Sequence, residues 1–88
     1  MVKFPLGQVV ATPPALATFS PSFIRECLRK HSTGDPGCCH PDDVEENSRA
    51  ILEGTRVFSV YKDDRGNVLW IITEADRTST CVLLPSDY

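Results

Sequence analysis

The sequence lacks the features that mark several large classes of protein. No apolar run among its 88 residues approaches the roughly 20 residues that are needed to cross a bilayer, so we expect no membrane partner. Basic residues are not in excess, since the formal net charge is −3, and non-specific nucleic-acid binding depends on a basic surface. The first residues carry one lysine and no apolar core of signal-peptide length, which favours a cytoplasmic protein.

Catalytic and repeat signatures are also missing. The sequence contains no nucleophile elbow, P-loop, dinucleotide-binding fingerprint or H-E-x-x-H motif, and it indicates no cofactor. It has no internal repeat, linker or low-complexity tract. Hydrophobic residues make up 41% and charged residues 24%, which is typical of a folded globular chain rather than a disordered one. We therefore expect a single α+β domain over residues 1–88.

The densest apolar run, residues 68–74, predicts a buried central strand, because it is rich in β-branched and aromatic residues and short for a helix. Strands are also predicted at residues 7–12, 56–62 and 79–84, with a helical turn near residues 15–19. The first of these is stopped by Pro13 and Pro14 and should lie at a sheet edge.

Two helices separate the first strand from the others. Ser20 and Pro21 are a typical helix start, and Gly34 ends that helix. A second helix begins at residues 41–43 and ends at Gly54. The element order β-α-α-β-β-β predicts a small four-stranded, mainly antiparallel sheet with two helices packed on one face.

The two sheet faces depend on the lengths of the hairpin loops. If both loops have four residues, Tyr61 faces Val68, Ser59 faces Trp70, and Ile72 faces Cys81. The helix-covered face then carries Phe58, Val60, Leu69, Ile71, Val82 and Leu84. The second face carries Val57, Ser59, Tyr61, Trp70, Ile72, Glu74, Cys81 and Leu83. A loop one residue longer or shorter would exchange the faces of one strand relative to its neighbour.

The second sheet face is the first candidate site. Ser59, Tyr61 and Trp70 would form an amphipathic surface for a partner or ligand, because soluble monomers seldom expose large apolar patches. Two other readings stay open. The N-terminal segment could cover this face, or the face could be a homodimer interface.

The second candidate is a cluster of possible metal ligands. Its members are Cys27, His31, Cys38, Cys39 and His40. Cys27 and His31 are four residues apart on one helix, and such ligands suit tetrahedral zinc. The spacing matches no familiar zinc module, Cys27 lies on the apolar helix stripe, and free thiols are expected in a cytoplasmic protein.

The third candidate is catalytic. It combines His31 and Asp35 with Glu74, Asp76 and Arg77 at the end of the central strand. A histidine with a carboxylate four residues on suits an oriented general base. The structural alternative is that Asp76 caps its own turn, Arg77 pairs with an acid, and His31 satisfies a helix-terminal carbonyl.

Segments spanning nearly the whole chain resemble a family of short, uncharacterised bacterial proteins associated with plasmids or mobile elements. They are residues 7–13, 31–37 and 69–77 (LWIITEADR), residues 83–85 and Tyr88. The resemblance implies no activity. The matching polar positions are His31, Asp35, Asn47, Tyr61, Glu74, Asp76 and Arg77. Cys38 and Cys39 depart from the family pattern, which counts against a zinc site shared by the family.

These observations favour a small interaction or regulatory module, whose partner is an unknown protein or a second copy of the chain, over an enzyme. The first alternative is a small hydrolase-like enzyme that uses His31 with Asp35 or Asp76. The second alternative is a structural zinc protein.

Overall fold

The computed structural model describes residues 4–34 and 53–88. In chain order the described elements are β1 (Gln8–Ala11), α1 (Pro13–Thr18), α2 (Pro21–Ser32), β2 (Val57–Lys62), β3 (Val68–Thr73), β4 (Ser79–Leu83) and a 3-10 turn (Pro85–Asp87). The strands form one sheet in the order β1-β4-β3-β2. The α+β class is confirmed, and β1 lies at an edge as expected.

Helix α2 begins and ends where the local sequence predicts. The Ser20 hydroxyl accepts a hydrogen bond from the Phe23 N–H at 3.2 Å, and Pro21 occupies the first helical position. At the other end Gly34 adopts a φ of 87°, which a residue with a Cβ adopts only under strain. The predicted second helix, residues 41–53, lies almost entirely outside the described residues. The other described helix is α1, at the predicted helical turn.

The sheet is mixed rather than purely antiparallel. Strands β2, β3 and β4 form the predicted antiparallel meander, but β1 pairs with β4 in parallel. The chain leaves β1 through α1 and α2, which carry it over one face of the sheet. It re-enters at the far strand and returns by hairpins to lie beside β1, so the direction of β4 follows from the meander.

The register predicted for the first hairpin is wrong by one residue. Tyr61 pairs with Leu69 and Ser59 with Ile71, because the loop between β2 and β3 spans five residues, 63–67, rather than four. Asp63 fixes this length: its carboxylate accepts hydrogen bonds from the N–H of Arg65 at 2.9 Å and of Asn67 at 2.8 Å. In the second hairpin, Ile72 pairs with Cys81 as predicted.

The extra loop residue exchanges the two faces of β2. The helix-covered face therefore carries Val57, Ser59, Tyr61, Leu69, Ile71, Thr73, Thr80 and Val82, all of them buried. Phe58 and Val60, which were predicted to face the helices, lie on the second face with Trp70. Leu69, Ile71 and Val82 are core residues as expected.

Both described helices pack on the same face of the sheet. Ala15 of α1 and Phe19, the residue after α1, belong to one buried cluster with residues of α2 and the sheet. The cluster consists of Ala15, Phe19, Ile24, Cys27, Tyr61, Leu69, Ile71 and Val82. Within residues 4–34 and 53–88, no helix is long and apolar enough to cross a membrane.

Candidate functional site

A chain of polar side chains crosses the core between α2 and the sheet. His31 is fully buried, with Nδ1 at 2.6 Å from Ser59 Oγ and Nε2 at 2.8 Å from Thr73 Oγ1. Thr73 Oγ1 lies 2.7 Å from Thr80 Oγ1, which donates to the carbonyl oxygen of Leu6 at 2.7 Å. This series of hydrogen bonds therefore connects α2, β2, β3, β4 and the segment before β1.

The carbonyl at one end fixes the direction of every hydrogen bond. A carbonyl oxygen can only accept, so the Thr80 hydroxyl donates its single hydrogen to the carbonyl of Leu6. It must therefore accept a hydrogen bond from the hydroxyl of Thr73. Thr73 in turn accepts from Nε2–H of His31. A neutral imidazole then has Nδ1 as its acceptor, and Ser59 donates to it. This assigns the Nε2–H tautomer to His31.

The surroundings of His31 favour its neutral form. Burial, followed by the positive charge of Arg77, lowers the pKa of His31 to about 4. The Phe4 ring meets the imidazole edge-on at a centroid distance of 5.2 Å, and the Arg77 guanidinium lies 5.3 Å from the centre of the Phe4 ring. His31 is therefore a neutral core residue at physiological pH.

The acidic catalytic candidates in the described residues do not converge on His31. The carboxylate of Asp76 accepts hydrogen bonds from the N–H of Thr78 at 3.0 Å and its hydroxyl at 2.6 Å, which lowers the pKa of Asp76. Glu74 is exposed and lies 3.7 Å from Arg56. Asp35 lies outside the described residues.

Arg77 stabilises a turn. Its guanidinium donates to the carbonyl oxygens of Thr55 at 2.6 Å and of Glu74 at 3.0 Å, and its own N–H closes the turn on Glu74 at 2.9 Å. It does so from a left-handed backbone conformation, with a φ of 61°. These contacts of Arg77 are hydrogen bonds to backbone carbonyls, and its predicted pairing with an acid stays a prediction.

The metal candidates are only partly described. Cys27 is buried, and burial raises the pKa of its thiol to about 11, which disfavours the thiolate that binds zinc. Both ring nitrogens of His31 are engaged by hydroxyls. Cys38, Cys39 and His40 lie outside the described residues. No group of three or more His, Cys, Asp or Glu side chains in the described ranges is placed to hold a metal ion.

The surface predicted from Ser59, Tyr61 and Trp70 does not form as a unit. Ser59 is 2% exposed and Tyr61 is 4% exposed, and both lie on the helix-covered face because of the changed register. Trp70 is half-buried on the opposite face. Phe4, in the N-terminal segment, packs with Val57 on the helix-covered side, so its side chain does not cover Trp70.

Trp70 is the centre of an aromatic cluster on the second face. Its ring contacts Phe58 at a centroid distance of 5.1 Å and Tyr88 at 5.8 Å, both edge-on. The guanidinium of Arg56 lies 5.5 Å from the centre of the Tyr88 ring, and it donates to the Tyr88 hydroxyl at 3.2 Å. These contacts hold the exposed Tyr88 ring against the sheet.

Beside this cluster lies a pocket of about 230 Å³. Ile72, Cys81 and Leu83 form its floor. Its rim consists of Arg56, Glu74, Ser79 and Tyr88. Burial raises the pKa of the Cys81 thiol, and the carboxylates of Asp87 and Glu74 raise it further, so the thiol stays protonated and apolar in character.

Thr73 and Thr80 were not among the predicted site residues, although a signal for them exists in the sequence. Strand side chains alternate between faces, and Thr73 follows Leu69 and Ile71 at a spacing of two. Thr80 stands in the same relation to Val82. Hydroxyls at such core positions require buried partners, and the helix stripe that faces them contains one imidazole.

Comparison with known proteins identifies no relative. No protein-family model, curated protein or solved structure matches this chain.

Proposed function

We propose that this chain is a small interaction or regulatory module that binds a protein partner through the second sheet face, with Trp70 and Tyr88 as its central residues. The observation that carries the proposal is the aromatic cluster beside a pocket with an apolar floor and a polar rim. This arrangement, an apolar centre inside a polar ring, is the usual anatomy of a protein–protein interface.

The size of the pocket favours a partner side chain over a free small molecule. Sites for drug-sized ligands have volumes of roughly 300–1,000 Å³, whereas this pocket measures about 230 Å³. One aliphatic or aromatic side chain fits such a volume, with its backbone crossing the rim. Arg56 and Glu74 offer opposite charges there for orienting the partner.

The hydrolase-like alternative has less support. Ser59 and His31 form a short Ser–His hydrogen bond, but Ser59 is 2% exposed and His31 is fully buried. A general base must reach the proton that it removes, and both nitrogens of His31 are occupied. Of the two predicted partner acids, Asp76 accepts hydrogen bonds within its own turn, and Asp35 lies outside the described residues.

The zinc alternative also has less support from the described ligands. Cys27 is a buried core residue with a thiol pKa of about 11, and the ring of His31 belongs to the hydroxyl chain. A metal ion bound by Cys27 and His31 would have to replace the hydrogen bonds that the His31 ring makes with hydroxyl groups.

The cellular setting is part of the same proposal. A cytoplasmic location is consistent with the free thiols of Cys27 and Cys81, because cytoplasmic proteins are usually kept reduced. A bacterial origin on a plasmid or other mobile element is supported by the sequence resemblance alone, which consists of residues 69–77 and the other matching segments.

The proposal is tested by selecting peptides from a displayed random library against the whole chain. We expect the selected peptides to share one large apolar residue, to change the fluorescence of Trp70 on binding, and to shift the NMR signals of Ile72 and Leu83. Tyr88→Ala, which removes a pocket wall at a residue that is 72% exposed, should weaken binding at least about tenfold, as loss of an interface anchor does.

Leu16→Ala is the matched control, because Leu16 is 58% exposed and lies in α1, away from the Trp70 face. Its binding should equal that of the original chain. Peptides that bind equally well to the Tyr88→Ala variant, or that shift signals on another surface, would overturn the proposal.

A further inference from the structure

The outer edge of β1 presents backbone hydrogen-bonding groups that no described strand uses. The N–H groups of Gln8 and Thr12 donate to Thr78 and Val82 at 2.9 Å each, so the even-numbered residues of this segment face β4. Alternate residues of a strand point to opposite neighbours. The N–H and C=O groups of Val9 and Ala11 therefore point outward, and no strand in residues 4–34 and 53–88 pairs with them.

The segment that forms this edge contains no charged residue. From Phe4 to Ile24 the sequence contains no Asp, Glu, Lys or Arg, although charged residues make up 24% of the whole. Val9 is 43% exposed and Val10 is 45% exposed, on opposite faces of the strand. Natural sheets usually protect open edges with charged side chains, and the strand at the other end of the sheet, β2, has Arg56 and Lys62 at its ends.

We propose that two copies of this chain pair through β1, antiparallel, about a two-fold axis at Val10. Two features of the edge favour a second copy over an unlike partner. A two-fold axis places like residues near like residues, and the paired segments repel each other little because neither contains a charged residue. The outward groups are also self-complementary, since antiparallel pairing matches Val9 with Ala11 of the second copy.

The position of the axis follows from which residues point outward. Val9 of the first copy and Ala11 of the second copy exchange two hydrogen bonds. Ala11 of the first copy and Val9 of the second copy do the same. Val10 then lies opposite Val10 of the second copy at a pair without hydrogen bonds, where side chains approach most closely. Contact between two β-branched side chains is favourable at such a position.

Pairing at this edge would join the two sheets into one. The axis is perpendicular to the sheet, so the second faces of both copies lie on the same side and form a continuous surface. The inference is independent of the proposed function, because β1 does not line the pocket beside Trp70. A four-residue strand gives a small contact, so we expect a weak dimer.

Sedimentation velocity of the full chain, from micromolar to millimolar concentration, tests the proposal. We expect the weight-average mass to rise from that of one chain toward that of two. Val9→Pro removes one outward N–H and leaves the bonds to β4 intact, which edge strands tolerate. It should raise the dimer Kd at least about tenfold.

A charge-swap experiment tests the register. Val10→Lys and Val10→Glu should each be monomeric alone, because like charges would lie directly opposite. An equimolar mixture of the two variants should form a heterodimer that contains one copy of each variant. Leu16→Lys is the control: it adds the same charge at an exposed site outside β1 and should leave the original Kd unchanged.

Several results would overturn the proposal. They are an original chain that stays monomeric up to about 1 mM, a Val9→Pro variant that dimerises normally, or a Lys and Glu mixture that stays monomeric. Circular dichroism and Trp70 fluorescence of each variant confirm that loss of the dimer is not loss of the fold. If both single-charge variants unfold, Val10→Thr replaces them. A Val10→Thr variant that is folded and monomeric would contradict the edge pairing, because threonine keeps the backbone and the β-branch.

Discussion

The hydroxyl of Ser59 donates to Nδ1 of His31 across 2.6 Å, and neither side chain is accessible to solvent. The bond joins β2 to α2 and belongs to a chain that ends at the carbonyl of Leu6. In the part of the chain that the structure describes, every buried side-chain nitrogen and oxygen has a hydrogen-bond partner. This pair therefore joins α2 to the sheet within the core, and both of its side chains are buried.

Ser59→Ala should destabilise the fold by about 1–3 kcal/mol, because Nδ1 of His31 would keep its burial and lose the hydrogen bond that Ser59 donates. Ser79→Ala is the matched control. It removes the same hydroxyl from a half-buried position on the second sheet face, and it should cost no more than about 0.5 kcal/mol. Urea unfolding followed by Trp70 fluorescence measures both. Equal effects of the two substitutions would show that the hydroxyl chain contributes nothing special.

Stability should fall as the pH decreases from about 6.5 to about 4. Folded His31 has a pKa of about 4, whereas an unfolded histidine has its ordinary value of 6.5, so in this window the unfolded state binds more protons. Acid therefore favours unfolding. The gap between the two pKa values corresponds to about 3 kcal/mol, and the loss levels off below the folded pKa.

His31→Asn isolates this effect, because it removes the titrating ring and leaves His40 in place. Its free energy of unfolding should change much less between pH 6.5 and 4.5, although its stability at neutral pH is lower. The carboxyl pKa values of Asp63 and Asp76 are held below the ordinary 3.8 by hydrogen bonds. Their contribution is lost only at more acidic pH. A His31 ring that titrates near 6.5 by NMR would refute the prediction.

Gly7→Ala should be more costly than a similar change elsewhere. Gly7 has a φ of 66°, and a Cβ at this position would overlap the backbone carbonyl group of Thr78, which cannot move without breaking the β1–β4 pairing. We expect a loss of at least about 2 kcal/mol.

Gly66→Ala is the comparison, because Gly66 has a φ of 83° but open space around a Cβ. It should cost about 1 kcal/mol, from backbone strain alone. Thermal and urea unfolding of both variants measure the difference. If Gly66→Ala is the more damaging of the two, the close approach at Gly7 does not matter.

Arg77→Gly and Arg77→Ala should differ in stability although both remove the guanidinium. Each loses the bond to the carbonyl of Thr55 and the contact with Phe4. The glycine variant also relieves the strain of a φ of 61°, so it should be more stable than the alanine variant by about 1 kcal/mol. Urea unfolding of the two variants decides the point, and an alanine variant of equal or greater stability would contradict it.

Much of the local structure was predictable because local residues decide it. Ser20, Pro21 and Gly34 determine where α2 begins and ends, and their effects need no contact from elsewhere in the chain. The β-branched composition of residues 68–74 similarly predicts a central strand. The α+β class and the position of β1 at a sheet edge follow from these elements and from the proline pair after β1.

The tertiary structure decided which side chains share a face. One residue of the loop, held by the Asp63 carboxylate, moved Ser59 and Tyr61 from the expected surface into the core and brought Phe58 out beside Trp70. Side chains alternate along a strand, so a single loop residue reverses every assignment in it. The partners of His31 lie 28 and 42 residues away in the sequence. Only packing in three dimensions could bring them together, because nothing in the local sequence encodes that distance.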